Sequence, residues 1–264
     1  MNCPIRLPSA SFLSSASSVA FLSFLSFVSS VSLVSSVSFV SLTAQTRTIA
    51  DPDELYRQRE DLSSAARAAD LWAQRSDIDF EAAWKLSRAC YWLGTHQSDQ
   101  NARNALERGV NAGERAIRLG SDRSEGHFWL AANMGRLAES FGLIKAMKYR
   151  GRIKDELERV LMIDPAWQGG SADAALGQWY ATVPRLFGGS RQRAEQHLRR
   201  ALDRDANSTS ALSFLGEMLA SEGRTDEARD LLRRVVNAPF DAEWAPEDRE
   251  LKQRSATLLK KIGG

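Results

Sequence analysis

From residue 51 onward, apolar residues recur three and four positions apart in one segment after another. This is the spacing of one face of an α-helix. The clearest segment is 209–241, TSALSFLGEMLASEGRTDEARDLLRRVVNAPFD, which predicts two helices joined by a turn at a glycine. Its packing positions are Leu215, Gly216, Leu219, Gly223, Ala228, Leu232 and Val235. The small residues among them would let the two helices approach closely.

The first-helix pattern of this hairpin recurs three times upstream, in segments 80–94, 126–142 and 171–184. The equivalent positions are Leu86, Met134, Leu176 and Leu215, which lie 48, 42 and 39 residues apart. Hairpins repeated at roughly 34 residues or more are typical of tetratricopeptide (TPR) proteins. No period-two strand pattern appears after residue 45. The pattern therefore predicts an all-α fold, in which about four TPR-type helical hairpin repeats form a curved α-solenoid. A charged C-terminal helix, 247–262, would cap the last repeat.

The N-terminal segment, residues 1–45, differs from the rest of the chain. No charged residue occurs between Leu7 and Thr46. Residues 9–41 are a low-complexity mixture of Ser with Phe, Leu, Val and Ala. The segment is interpreted as a signal peptide for export, and a membrane anchor is the alternative. Fifteen serines in 33 positions favour export over a stable membrane span. The second predicted domain, residues 46–264, is the TPR-like solenoid.

Charge and cysteine content narrow the range of functions. The chain carries 35 Lys+Arg and 33 Asp+Glu, a formal net charge of +2. This near-neutral balance argues against nucleic acid as the main partner. Cys90 is the only cysteine after the N-terminal segment and falls on an apolar helix face, where a buried thiol is expected.

No set of catalytic or metal-binding residues is apparent in the sequence. The three histidines, His96, His127 and His197, are scattered, and none has the i, i+4 spacing of a helical metal site. There is neither a nucleophile elbow nor a strand–loop–helix phosphate loop. The sequence therefore predicts a protein that is not an enzyme and carries no cofactor or metal.

The candidate ligand-binding residues are those that the repeat register turns away from the packing face, toward the concave side. Tryptophan and arginine in such positions are typical anchors for a ligand or a partner peptide. The alternative is that the indoles simply cover adjoining loops as core. The predicted binding residues are Trp84, Arg88, Tyr91, Trp92, Trp129, Asn133, Arg136 and Gln178, with Ser213 and Glu217 on the same side of the last repeat.

Two motifs that ordinary TPR arrays lack lie near the third repeat. They are G-G-x-x-x-x-A-L-G-x-x-Y, at residues 169–180, and P-x-x-F-G-G, at residues 184–189. Together with ELYRQRED, AAWKLSRACYWLG and HFWLAANMGR, they resemble the TPR proteins associated with TRAP transporters, the TatT-like family. The family's usual lipid-attachment cysteine is missing here.

The resemblance implies a periplasmic solenoid that assembles with a solute-binding protein of a TRAP-type system. It also implies a channel suited to a hydrophobic organic acid. Arg88 and Arg136 would pair with the carboxylate of this ligand, and Trp84, Trp92 and Trp129 would contact its apolar body. The alternative hypothesis is a generic TPR adaptor of the cell envelope, which grips extended peptides and binds no small molecule. Whether the protein forms a homo-oligomer is left open.

Overall fold

Every regular element among the described residues, 50–141 and 143–263, is helical in this computed structural model, and of residues 143–146 only the backbone is described. Two short 3-10 helices occupy Trp167–Gly170 and Arg185–Phe187. The absence of strands from this part of the chain confirms the predicted all-α class. The α-helices are α1 Pro52–Arg57, α2 Leu62–Ala73, α3 Phe80–His96, α4 Asp99–Leu119, α5 Ser124–Ser140, α6 Leu143–Ile163, α7 Ser171–Thr182, α8 Arg191–Arg204, α9 Thr209–Ser221, α10 Thr225–Asn237 and α11 Ala245–Lys261.

Eight of these helices pair as consecutive hairpins, namely α3 with α4, α5 with α6, α7 with α8 and α9 with α10. The first helices of neighbouring hairpins also touch, α3 against α5 and α7 against α9. At the N-terminal end α2 packs on α3, and at the C-terminal end α11 packs on α9 and α10. This arrangement confirms a TPR-type α-solenoid with four hairpins and a capping C-terminal helix. The predicted N-terminal segment, residues 1–45, lies outside the described residues.

Side chains that satisfy free backbone groups set the helix boundaries. Asp79 accepts hydrogen bonds from the backbone N–H groups of Glu81 (2.9 Å) and Ala82 (3.3 Å) at the start of α3. Ser208 does the same for Ala211 at the start of α9. These side chains serve the orphan donors of a first helical turn. Gly223 follows α9 with a φ of +78°, a conformation that favours glycine and ends the helix as predicted.

Glycines lie where the two helices of a hairpin approach most closely. A Cβ added at Gly177 would lie 2.5 Å from Cγ of Leu198, and one at Gly216 would lie 2.9 Å from Cγ of Leu232. Both distances are too short for two carbon atoms. The predicted seam of small residues is therefore present in the third and fourth hairpins.

The register assigned to the second hairpin from sequence is wrong by one helical turn. The buried positions of α5 repeat those of α3 at a shift of 44 residues, so Leu130 and Met134 correspond to Leu86 and Cys90. Met134 is therefore not the equivalent of Leu86. Gly135 does not lie in the seam, because a Cβ there would meet no atom within 4 Å.

The prediction of a buried thiol is confirmed. Cys90 is fully buried in α3, within the apolar cluster that joins α1–α3. Burial raises the pKa of its thiol to about 12. The thiol therefore stays protonated and unreactive at neutral pH.

Candidate functional site

Six side chains from α1, α3 and α5 and from the turn after α1 form one aromatic and cationic surface, which we call the inner surface. Arg88 lies over two aromatic rings, with its guanidinium carbon 4.4 Å from the ring centroid of Tyr56 and 5.0 Å from that of Trp84. Arg59 also lies over two rings, 4.9 Å from the centroid of Tyr56 and 5.3 Å from that of Trp92. Such cation–π contacts hold guanidinium groups in fixed positions. The inner surface consists of Tyr56, Arg59, Trp84, Arg88, Trp92 and Trp129.

The protein's own C-terminal chain covers this surface. Residues 241–250, which we call the arm, comprise the end of the loop after α10 and the first turns of α11. Arg88 Nη1 pairs with Glu243 Oε1 at 2.6 Å. Arg59 makes a bidentate pair with Glu247, Nε–Oε1 3.1 Å and Nη2–Oε2 2.5 Å. The arm therefore connects the start of α11 to α3 and to the turn after α1.

An indole stack lies at the centre of the arm contact. The rings of Trp244 and Trp129 are 6.2 Å apart with an interplanar angle of 20°. Tyr91 also packs against Trp129, at 5.8 Å between ring centroids and an interplanar angle of 55°. At the far end of the arm His96 Nε2 lies 2.5 Å from Glu250 Oε1. The stack and the flanking ion pairs hold the arm at several points.

The structure assigns different surroundings to the eight predicted binding residues. Trp84, Arg88, Trp92 and Trp129 lie on the inner surface, and Tyr91 borders it. Trp92 is buried, and its Nε1 donates to the carbonyl oxygen of Arg59 at 2.6 Å. Arg136 is partly exposed and pairs with Glu139 at 3.4 Å. None of the hydrogen bonds or ring contacts among the described residues joins the Gln178 side chain to this group.

Asn133 lies between repeats rather than on an open face. It is fully buried, and its Nδ2 donates to the carbonyl oxygens of Ser87 (3.0 Å) and Trp129 (2.8 Å). The Ser87 hydroxyl in turn donates to the carbonyl oxygen of Gly109 at 2.8 Å. These bonds connect α3, α4 and α5, so the position is structural.

Ser213 and Glu217 of the last repeat are also covered by the C-terminal chain. Glu217 Oε1 lies 2.6 Å from Arg254 Nε on α11. Ser213 is buried beside Ser255 of the same helix. An open groove of about 500 Å³ remains along α11, lined by Glu217, Glu250, Gln253, Arg254, Thr257, Leu258 and Lys261.

Two buried donors of the inner surface, Arg88 Nε and Trp129 Nε1, lack hydrogen-bond partners among the described residues. Buried donors without acceptors are uncommon in folded proteins and call for an explanation. In addition, burial raises the pKa of the Glu247 carboxyl above its usual 4.5, although Arg59 opposes this shift. The arm therefore satisfies the inner surface incompletely.

Sequence reasoning missed the residues that complete this surface. Tyr56 and Arg59, in α1 and the turn after it, are not among the predicted binding residues. Neither are Glu243 and Trp244, in the loop between α10 and α11. Trp244 lies between two glutamates in the sequence, and the first two repeats carry several tryptophans and arginines. This complementary composition could have suggested that the two segments meet.

The described residues offer no sign of a metal or membrane-spanning site. They contain no group of three His, Cys, Asp or Glu side chains placed to hold a metal ion. None of their helices is both long and apolar enough to cross a bilayer. That the protein is not an enzyme stays a prediction.

Comparison with known proteins gives two family matches that together span most of the described residues. The family model described as "Regulator of microtubule dynamics protein 1-3" matches residues 48–186, and a tetratricopeptide repeat model matches residues 189–246. Regulator of microtubule dynamics protein 1 of Caenorhabditis elegans is 22% identical over 232 residues, covering 78% of this chain and 99% of the relative.

Among solved structures, a thermophilic TPR protein of Thermus thermophilus is similar with a TM-score of 0.60 and 22% identity. The match covers 79% of this chain and 97% of that one. At this identity the similarity concerns the fold alone, and it agrees with the hairpin architecture. The tetratricopeptide repeat match over residues 189–246 supports a TPR-type scaffold for protein–protein interaction.

The resemblance to TRAP-transporter-associated, TatT-like proteins is wrong. The model that matches residues 48–186 and the curated relative both belong to a different family. The solute-binding protein and the hydrophobic carboxylate that were expected as partners are therefore dropped, and neither match supports the periplasmic location that the resemblance implied. The alternative hypothesis, a TPR adaptor for other proteins, agrees better with these matches.

Proposed function

The chain belongs to the regulator of microtubule dynamics protein 1-3 family, and we propose that it regulates microtubule dynamics as a TPR-type scaffold that binds a protein partner. The observation that carries this proposal is the family match over residues 48–186, which include all six residues of the inner surface. The C. elegans relative supports it, because the alignment spans 99% of that protein. A repeat array presents side chains of successive helices along one surface, which suits it to an extended partner.

Purified full-length protein added to dynamic microtubules provides the test. We expect a change in growth rate or catastrophe frequency, measured filament by filament. Arg88→Ala should weaken the effect, because it removes a cation from the inner surface. Arg233→Ala is the matched control, since that side chain is 57% exposed on α10 and pairs only loosely with Asp230, at 3.7 Å. If the wild-type protein alters neither parameter and does not sediment with microtubules, the proposal fails.

We also propose that residues 1–45 determine where the scaffold acts, either by export or by attachment to a membrane. This rests on the uncharged Ser-rich apolar composition of the segment. Cell fractionation of the full chain and of a chain lacking residues 1–45 tests it. An identical distribution of the two proteins would remove the proposal.

A further inference from the structure

The inner surface has the chemistry of a site for carboxylates and an aromatic ring. Arg88 is only 6% exposed, and Tyr56 and Trp84 hold its guanidinium in place. A guanidinium fixed in this way is well suited to bind a carboxylate through two parallel hydrogen bonds. Trp129, on which Trp244 of the arm stacks, offers an indole face. Such buried anchors account for most of the binding energy in protein interfaces.

The arm shows which spacing of groups this surface accepts. Glu243 meets Arg88, the adjacent Trp244 stacks on Trp129, and Glu247 meets Arg59. Two carboxylates four residues apart, with an indole beside the first, therefore match two guanidinium groups and an indole. The match therefore consists of two ion pairs and one ring stack.

The arm nevertheless uses the surface incompletely. Glu243 gives Arg88 a single short contact while its own side chain stays 59% exposed, and Arg88 Nε has no partner among the described residues. Trp129 Nε1, on a residue only 4% exposed, also lacks an acceptor there. A carboxylate placed across the guanidinium, with an acceptor near the indole nitrogen, would satisfy both donors.

The arm is also held by bonds that do not involve the inner surface. Asp248 is buried and accepts hydrogen bonds from Thr209 Oγ1 (2.6 Å) and from the backbone N–H of Asp241 (3.1 Å). These bonds fix the start of α11 beside α9. The tether keeps the arm at high local concentration, so its contacts with the inner surface need not be strong.

From these observations we propose that the inner surface is a binding site for an acidic protein segment that carries a tryptophan beside a carboxylate. The arm, residues 241–250, occupies this site in the resting protein as a competitor within the same chain. The inference deepens the proposed function, because it names the chemistry of the partner. It rests on that function in one respect, namely that the ligand of the inner surface is a protein. Carboxylates are preferred over phosphates as the ligand groups because the arm itself supplies them there.

The test uses the full-length chain and a fluorescein-labelled peptide of residues 241–250, DAEWAPEDRE, as the probe. Fluorescence anisotropy measures binding to wild-type protein and to Trp244→Ala, in which the arm loses its stack. Because a competing arm reduces apparent affinity by the fraction of open sites, Trp244→Ala should bind the peptide about tenfold or more tightly than wild type. Asp226→Asn, which removes an exposed carboxylate on α10, is the control and should behave as wild type.

Two further comparisons make the result specific to the site. Adding Arg88→Gln to Trp244→Ala should abolish the gain, and a peptide with its three glutamates changed to glutamine should not bind. Glu243→Gln is a milder arm variant, used with circular dichroism in case Trp244→Ala does not fold.

The proposal is overturned if neither arm variant binds the peptide more tightly than wild type, or if the Arg88→Gln addition leaves the gain intact. It is also overturned if the wild-type protein forms a dimer that Trp244→Ala dissolves, because the arm would then be exchanged between copies. Since no microtubules are present, peptide binding can succeed where the microtubule assay fails, which keeps the two proposals separable.

Discussion

Replacing Gly109 by alanine should destabilise the protein, because no room for a side chain exists where α4 meets α5. A Cβ at this position would lie 2.1 Å from Oδ1 and 2.5 Å from Cγ of Asn133. Asn133 is fully buried and tied to the carbonyl oxygens of Ser87 and Trp129. The amide cannot turn away without giving up those bonds.

The expected change in the free energy of unfolding combines two destabilising contributions and one stabilising contribution. Overpacking of a dense interior costs about 1–3 kcal/mol. Loss or distortion of a buried hydrogen bond adds about 1 kcal/mol. Alanine in place of glycine in a helix returns roughly 1 kcal/mol. We therefore expect Gly109→Ala to lower the free energy of unfolding by about 1–3 kcal/mol, or the Tm by roughly 2–10 °C.

Urea and thermal unfolding followed by circular dichroism provide the measurement. The matched control is Gly135→Ala in α5, where a Cβ meets no atom within 4 Å, so alanine should stabilise by about 0.5–1 kcal/mol. Gly109→Ala should become harmless when combined with Asn133→Ala, since the clashing amide is then gone. Stability equal to wild type, or the same loss in the Asn133→Ala background, would refute the steric reasoning.

Three further predictions concern buried polar groups. Asp173 is 1% exposed, and its carboxylate lies 2.8 Å from His197 Nδ1 and 3.1 Å from Arg200 Nη2. Asp173→Asn should cost about 1–3 kcal/mol of stability in urea unfolding, and the loss is limited because water can solvate the 48% exposed Arg200 side chain. Burial opposes ionisation of Glu156, yet hydrogen bonding to His127 holds its pKa below 4.5. The stability that ionised Glu156 contributes is therefore fully present above pH 4.5 and is lost as the pH falls through the lowered pKa. Glu156→Gln should therefore flatten the acid side of a plot of the free energy of unfolding against pH. Cys90, with its pKa raised to about 12, should resist a thiol reagent at pH 8 until urea unfolds the protein, measured in a Cys3→Ser background. Rapid labelling of the native protein would contradict that burial.

Helical periodicity predicted most of the fold because each hairpin buries one continuous apolar stripe. The register prediction was wrong for the second hairpin because its first helix contains two apolar–small pairs one turn apart, Leu130-Ala131 and Met134-Gly135. The glycine resembled the seam residue of the other repeats, and nothing local distinguishes the two pairs. In the structure, the first pair takes the buried positions that correspond to Leu86 and Ser87 of α3.

The motifs behind the incorrect family assignment have structural roles. Gly188 has a φ of +102°, and a Cβ at Gly189 would lie 1.6 Å from the carbonyl oxygen of Val183. Only glycine fits this turn between α7 and α8. These glycines are required by the geometry of the turn that joins the two helices. They therefore do not identify the protein that the chain binds.

Part of the inner surface was predictable, whereas its covering was not. The repeat register indicated that Arg88 and Trp129 face away from the packing seam, and both lie under the arm. Glu243 is 155 residues from Arg88 in sequence, so no local pattern joins them. Charge complementarity at that separation emerges only once the hairpins are stacked.

The arm gives this array a property that simple repeat arrays lack. In such arrays each repeat contacts only its neighbours, so the two ends are coupled only through the repeats between them. Here Arg59, after the first helix, pairs with Glu247 at the start of the last, 188 residues away. A ligand that displaces the arm must therefore break a contact between α11 and the turn after α1. Binding of a partner at the inner surface therefore requires the same opening that separates the arm from the first helices. The affinity of the partner consequently reflects the free energy of the partner's contacts minus that of the arm's contacts.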